Sequence, residues 1–299
     1  MLSLSIVIPT YNEAGNVQEL LTRLEECLGK TGWEVIFVDD DSPDNTAGLV
    51  RDIAQRDHRV RCLQRIGRRG LASACIEGLL AGCGELLAVM DADLQHDERI
   101  LPEMVALANQ GDADIVIATR YAQGGSTGEW DWSRKKLSKI ATFFSHAFIP
   151  YGVSDPMSGF FLMRREVFQA VVHDLSGIGY KILFDVLSAA KGNQVRIQEV
   201  PYRFRHRHSG ESKLDLQVMW EFGILLADKL LGRFIPAHFI SFALIGGLGV
   251  FVHLAIMGLL FKGLAVGFVG AHAFAAVLAM TFNYTLNNEL TYRSKRLRH

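Results

Sequence analysis

The stretch Asp91-Ala92-Asp93-Leu94-Gln95-His96 sets two carboxylates one residue apart, then an amide and an imidazole. It follows the apolar run Leu86-Leu87-Ala88-Val89-Met90, which reads as a strand buried on both faces. In a parallel α/β sheet, ligands bind just beyond the carboxyl ends of the strands. Two acids placed there, with no Lys or Arg in the run to offset them, are costly unless a cation joins them. Oxygen donors suit Mg2+ or Mn2+, and Mg2+ is commonly held by one or two carboxylates plus phosphate oxygens of a ligand. The spacing therefore predicts a metal–diphosphate site. Taken alone, Asp-X-Asp is also what a solvated turn closing a strand would show.

The elements that must position these acids alternate along the chain. Leu4–Ile8 is a first strand, stopped by Pro9, and Thr10-Tyr11-Asn12-Glu13 leads into a helix over 16–28 with Val17, Leu20, Leu21 and Leu24 on one face. Trp33–Val38 is a second strand ending in Asp39, Asp40 and Asp41; Ser42 to Thr46 supplies turn and N-cap residues for the next helix. Val60–Leu63 is a short strand, Gly67–Gly70 a turn and Leu71–Ala81 a helix. After the central strand come a helix over 99–109 and a strand over 115–118. This rhythm predicts βαβ units and a mostly parallel sheet. Beyond Arg120 it breaks. Residues 121–131 are Gly-rich, and 134–148 look helical with Lys135, Lys136 and Lys139 on one side. Asp155–Phe161 is a turn into a strand, 180–190 a helix and 195–200 a strand, and 202–213 is densely basic. The acids Asp39–Asp41, Asp91, Asp93 and Asp155 are expected to converge on one sheet edge, beside Arg69, Arg120 and the segment around Arg207.

The 299 residues suffice for one large domain and an appendage, and the net charge of −1 gives no electrostatic case for nucleic acid. Cys27, Cys62, Cys75 and Cys83 have no metal-like spacing and read as reduced core thiols of a cytosolic domain, in helix or strand contexts. Met1 leads directly into a strand, so no signal peptide is expected. Charges scatter as far as Arg233 and then nearly vanish until Glu289. Over 214–231, Trp220, Phe222, Ile224, Leu225 and Leu226 mix with Asp215, Glu221, Asp228 and Lys229. That pattern predicts an interfacial helix on membrane lipids, with an ordinary core helix as the alternative. Phe239–Phe261 and Leu264–Asn288 are each long enough to cross a hydrocarbon layer of roughly 30 Å, with Lys262-Gly263 as the turn between them. Lys229 and Arg233 before, and Arg293, Lys295, Arg296 and Arg298 after, predict a hairpin with both flanks in the cytosol. Gly246, Gly247 and Gly249 on one span, and Ala271, Ala275 and Ala279 on the other, would allow close packing. His253 and His272 read as packing residues. The expected organisation is 1–213 catalytic, 214–235 interfacial, 236–290 membrane-spanning and 291–299 a basic cytosolic tail.

Six motifs, in order, resemble the dolichol-phosphate mannose synthases, inverting family 2 glycosyltransferases of GT-A fold. They are Val-Ile-Pro-Thr-Tyr-Asn-Glu (7–13), Val-Asp-Asp-Asp-Ser (38–42), Met-Asp-Ala-Asp-Leu-Gln-His (90–96), Thr-Arg-Tyr (119–121), Ser-Asp-Pro-Met-Ser-Gly-Phe-Phe (154–161) and Gly-Glu-Ser-Lys-Leu (210–214). The membrane segment resembles the first half of a GtrA-like domain, which usually has four spans. His96-Asp97 replaces the His-Pro often found in the family, a minor departure. The resemblance implies a Rossmann-like α/β domain, then the interfacial helix and the two-helix hairpin. It places Pro9, Tyr11, Glu13, Asp39, Asp41, Asp91 and Arg69 around the donor nucleotide. It gives Asp93 and Gln95 to Mg2+ or Mn2+, and Asp91, Asp93, Gln95 and Arg120 to catalysis. The acceptor, a dolichyl or polyprenyl phosphate, would meet Arg120, Arg134, Lys181, Arg207, Ser212 and Lys213. Such a phosphate is already anionic and needs no general base, unlike a hydroxyl; forked guanidinium groups suit its oxygens.

The expected donor is GDP-mannose, on the strength of Ser158-Gly159-Phe160-Phe161. A UDP-sugar such as UDP-glucose stays open, because the base pocket is not legible. A processive polysaccharide synthase fits less well: no Gln-X-X-Arg-Trp motif occurs, and two spans are few for a polymer conduit. A non-catalytic polyprenyl-phosphate carrier would have no use for an Asp-X-Asp-X-Gln site.

Overall fold

The computed structural model describes residues 3–30, 32–121, 149, 152–192, 194–203, 205, 220, 223–228 and 237–291. The chain divides into two compact units, Met1–Lys213 and Leu214–His299.

In the first unit seven strands form one sheet: β1 (Leu4–Thr10), β2 (Trp33–Asp39), β3 (Val60–Gln64), β4 (Leu86–Val89), β5 (Ile115–Thr119), β6 (Phe161–Arg164) and β7 (Ile197–Pro201). Their order is β3-β2-β1-β4-β6-β5-β7. Between them run α1 (Ala14–Leu28), α2 (Thr46–Ala54), α3 (Leu71–Ala81), α4 (Leu101–Asn109), α5 (Arg165–Val171) and α6 (Ile182–Ala189). The central strands β1, β4, β5 and β6 read as largely apolar runs because they are buried on both faces, whereas the edge strands β3 and β7 are mixed and partly exposed. Ile6, Ile8, Val35, Phe37, Ala88 and Leu162 are fully buried in one cluster with Val17, Leu20 and Leu24 of α1. Each such large side chain contributes roughly 1.5–3 kcal/mol through burial. Gly84 lets the chain enter β4 against β1, since a Cβ there would lie 2.7 Å from the Leu4 carbonyl carbon.

The sheet is the expected GT-A arrangement with one reversal. β6 runs antiparallel to β4 and β5, with Phe161 opposite Val89 and Ile117. The turn that precedes β6 is thereby delivered to the edge where β4 and β5 end. β1 lies between β2 and β4, both parallel to it. The chain's direction of travel switches there, which is where open α/β sheets bind ligands.

Some boundaries differ from expectation. The helix expected over 180–190 starts at Ile182, leaving Lys181 at the end of a loop that contains the positive-φ residues Gly177 and Gly179. The helix expected from Arg99 begins as a 3-10 turn, Glu98–Ile100, because the Asp97 side chain accepts the Arg99 N–H. The cysteine reading needs correction. Only Cys75 is buried; Cys83 is exposed, since it lies in the turn between α3 and β4 rather than in either element.

The second unit contains α7 (Ala237–Gly258) and α8 (Phe268–Leu286). With their wide terminal turns they form two long apolar stretches, Phe239–Gly263 and Phe268–Thr291, with mean hydropathy 2.3 and 1.3. Ser241, Ile245 and Gly249, spaced by four, are buried, as are Ala271, Ala275 and Ala279. A Cβ at Gly249 would run into the Asn283 side chain, whereas one at Gly246 or Gly247 would meet nothing within 4 Å, these two lying off that stripe. So of the three glycines, Gly249 is the one where a side chain has no room. The connection is also longer than Lys262-Gly263: the helix continues as a wide turn over Leu259–Gly263, and 264–267 link to α8. His253 and His272 pack edge to face, centroids 4.9 Å apart. Of the expected interfacial helix, only 220 and 223–228 are described, and they are helical.

Candidate active site

β4 ends at Val89, and the next residues turn sharply. Leu94 takes a left-handed φ of 60°, unusual for a residue with a branched side chain. Asp93 Oδ1 accepts the Gln95 N–H at 3.1 Å, which closes the turn. Asp93 is buried, while the Asp91 side chain is 37% exposed and borders the opening. Gly159, in the turn before β6, makes room for it: a Cβ there would stand 2.8 Å from Asp91 Oδ2. Gly159→Ala is expected to push Asp91 aside and lower kcat/KM about tenfold or more, since displacements of about 1 Å carry such penalties. Steady-state kinetics beside an unchanged melting curve would check it.

Gln95 is held by its amide nitrogen, which donates to the Arg205 carbonyl at 3.1 Å. Only the NH2 side can face a carbonyl, so Oε1 points the other way. One carboxylate and one amide oxygen from this turn form a hard donor pair that fits Mg2+ or Mn2+. Among the described residues no group of three or more His, Cys, Asp or Glu side chains is placed to hold an ion. An ion at this turn would therefore complete its shell with ligand oxygens and water.

His96 was not expected to matter beyond its place in the motif. It is 3% exposed, stacks on Phe160 (centroids 5.3 Å apart) and meets the edge of Tyr202. Its Nδ1 accepts the Asp91 N–H at 3.2 Å, so the ring orients the acid that precedes Asp93. Burial pushes its pKa down to about 4. The folded pKa lies below the unfolded value of 6.5, so the unfolded chain binds the proton first as pH falls. The contribution is whole above pH 6.5 and is lost as pH drops toward 4, by about 3 kcal/mol at most. Thermal melts at pH 7.5 and 5 should show this loss, and His96→Gln should flatten it.

At the end of β5, Arg120 Nε and Nη2 grip Asp155 at 2.7 and 3.0 Å. Asp155 is fully buried, and its N–H and the Ser154 N–H and hydroxyl all reach Glu199 Oε1 on β7. Burial opposes the Arg120 charge, but the Asp155 hydrogen bonds and charge outweigh it and raise its pKa. Lys181 lies near this pair and Asp91. Burial, and then the Arg120 charge, lower its pKa, with Asp155 and Asp91 acting the other way. No hydrogen bond of its ammonium is found among the described residues.

The β1 and β2 ends form the neighbouring wall. Arg69 lies over the Tyr11 ring, 4.5 Å from its centroid. Pro9 and Glu13 are partly exposed, and Glu13 Oε2 accepts from Asn16 Nδ2 at 2.7 Å. Asp39 is fully buried and accepts the Ser42 N–H, the Ser42 hydroxyl and the Thr10 hydroxyl. These three donors satisfy the carboxylate where it is buried at the end of β2. Asp41 is exposed, with φ 59°, and accepts from Gln64 Nε2. Asp40, between them, is buried, pairs with Arg65 at 2.6 Å and accepts the Gly70 N–H. Burial raises its pKa against those partners. Arg134, Arg207, Ser212 and Lys213 lie outside the described residues.

The glycosyl transferase family 2 model matches residues 5–172, and the GtrA/DPMS transmembrane domain model matches residues 241–299. The chain belongs to glycosyl transferase family 2. It is a membrane protein of that family by its second match. Its relatives include a dolichol-phosphate mannosyltransferase of Pyrococcus furiosus, 38% identical over 223 residues, 74% of this chain. The match spans 62% of that relative's length. Those of Mycosarcoma maydis and Saccharomyces cerevisiae are 33% and 34% identical, covering 81% and 80% of this chain and 85% and 91% of theirs. Among solved structures, glucosyl-3-phosphoglycerate synthase of Mycobacterium tuberculosis, in complex with Mn2+, UDP-glucose and phosphoglyceric acid, superposes with TM-score 0.56 at 19% identity. That match covers 77% of this chain and 79% of the other. At that identity the likeness is one of fold, here family 2's GT-A domain.

Proposed function

We propose that this family 2 member transfers mannose from GDP-mannose to a dolichyl or polyprenyl phosphate, with inversion, giving a β-linked lipid phosphate mannose. The observation that carries the reading is the meeting, at one sheet edge, of Asp91 with the Asp155–Gly159 turn that Arg120 grips, where the Lys181 charge is also felt. Acids for an ion and cations for phosphate stand together there. The mannosyltransferase names of the relatives, and the Mn2+ and nucleotide sugar named for the M. tuberculosis enzyme, support it.

Asp93 and Gln95 would hold Mg2+ or Mn2+, which when bound supplies positive charge to the departing nucleoside diphosphate. Tyr11 and Arg69 would flank the nucleotide, with Pro9, Glu13, Asp39 and Asp41 alongside. Asp91, oriented by His96 and given room by Gly159, would face the sugar. Lys181 would meet phosphate oxygens, because a partly desolvated ammonium gains more from an anion than an exposed one does. Arg120 would present a guanidinium fixed by Asp155, with Arg134, Arg207, Ser212 and Lys213 completing the acceptor site. Attack by an acceptor phosphate needs no proton removed, so neutral His96 serves as a support rather than a base. In this reading residues 1–213 form the cytosolic catalytic domain and 214–235 lie on membrane lipids. Residues 236–290 span the bilayer twice, and both termini, including the basic 291–299 tail, face the cytosol.

Transfer from radiolabelled GDP-mannose, UDP-glucose and UDP-GlcNAc to polyprenyl phosphate, with Mn2+ and with EDTA, tests the proposal. Label should enter the lipid phase from GDP-mannose alone, and only with metal. Transfer from a UDP-sugar would overturn the donor; lipid binding without transfer would overturn the enzyme.

A further inference from the structure

We propose that Arg205 is a positioning residue that presets Gln95 as a metal ligand by clamping the 95–98 segment from both backbone and side chain. This rests on the reading of Asp93 and Gln95 as the metal site. The Arg205 N–H donates to the Gln95 carbonyl at 2.9 Å, and the Arg205 carbonyl accepts from Gln95 Nε2 at 3.1 Å. The second bond is the one that turns Oε1 outward. The guanidinium then donates to Glu98 Oε2 at 2.9 Å, Glu98 Oε1 at 3.2 Å and Asp97 Oδ1 at 2.8 Å. Arg205 thus touches Gln95, Asp97 and Glu98 at once. The Glu98 and Asp97 side chains are only 5% and 12% exposed, so these contacts are shielded from solvent.

The turn needs such a brace. Leu94 is held at positive φ, a conformation that persists only where its surroundings over-determine it. On the far side, Arg99 forks onto Asp97. That contact is local to the 3-10 turn and does not reach Gln95. The Arg205 main-chain bonds fix the ligand amide, and its guanidinium, tied to Asp97 and Glu98 more than a hundred positions away in sequence, holds that main chain in place. Groups that orient metal ligands typically change metal affinity 10–100-fold when removed.

The sign of the effect separates positioning from charge. Removing the Arg205 cation leaves Asp97 and Glu98 less neutralised, and charge alone would then draw a divalent ion in more tightly. A positioning role predicts weaker binding. Mn2+ titrated into the full chain in detergent with GDP present, with free Mn2+ read by electron paramagnetic resonance, gives the affinity without turnover. Arg205→Ala is expected to raise the Mn2+ Kd about tenfold. Arg205→Lys, which keeps the cation and one ion pair, is expected to raise it less and to restore most of the affinity. Unchanged or tighter binding in Arg205→Ala overturns the inference. If that variant fails to fold, a wild-type Kd in Arg205→Lys at 0.5 M salt overturns it instead, and a raised one sustains it. Gln95→Ala keeps the two questions apart. If it leaves Mn2+ binding intact, the metal assignment itself falls; if it weakens binding while Arg205 variants do not, only the clamp is lost.

Discussion

Asp93→Ala is expected to reduce the proposed mannosyl transfer by about 10³-fold or more, with no rescue at high Mn2+. Two losses combine. Asp93 is the carboxylate of the proposed donor pair, and the charge it helps to hold opposes the negative charge that grows on the departing diphosphate. Single groups aimed at such charge are typically worth 10²–10³-fold. Asp93 Oδ1 also accepts the Gln95 N–H, so its removal loosens the second ligand along with the first. The stability change should be smaller, because the site lies beyond β4 and the apolar cluster beneath stays whole. Initial rates across a Mn2+ series, beside a melting curve, provide the check. A rate within tenfold of wild type at saturating Mn2+ would sink the assignment of this turn.

The sheet was legible because its strands are long apolar runs with abrupt polar ends, a pattern that follows from burial on both faces. Leu86–Met90 and Trp33–Val38 could scarcely be anything else. What the periodicity did not carry was direction. β6 has the same composition whether it runs parallel or antiparallel, and only its pairing with Val89 and Ile117 brings Asp155 and Gly159 to the ligand edge. At the site, acids and an amide two residues apart gave the proposed metal turn its place. Which acids are spent internally is a matter of partners that sequence spacing hides. Asp39, Asp40 and Asp41 are identical letters in a row, yet one is buried under Ser42 and Thr10, one is tied to Arg65 and one is exposed. The signal that could have flagged Asp40 was Arg65, an arginine at a strand end that needs a partner when buried. His96 and Arg205 were overlooked for a related reason: each acts through another residue, and nothing in its own neighbourhood of the chain names that residue.

Breaking the Arg120–Asp155 pair from either side should be the most damaging change outside the metal turn. The Arg120 side chain is 11% exposed and that of Asp155 is 1%. Removing one member of a buried pair strands the other, at a cost of about 3–5 kcal/mol, whereas removing both together costs less. Arg120→Met and Asp155→Leu are each expected to lower the melting temperature of the full chain by on the order of 10 °C. The double variant should recover part of that loss. Asp155 is the worse residue to leave alone, since its side chain is the more deeply buried of the two. Function should separate the two in the opposite sense. Asp155→Asn keeps the shape and leaves Arg120 charged but less firmly aimed, so the acceptor KM should rise more than kcat falls. Arg120→Lys keeps a charge without the fork and should lose both, because one ammonium cannot hold Asp155 at two points and still serve a phosphate. Melting shifts under about 2 °C for both single variants would show that the pair does not carry this edge. An unchanged acceptor KM in Asp155→Asn would remove Arg120 from the acceptor site and leave Lys181 as its described cation.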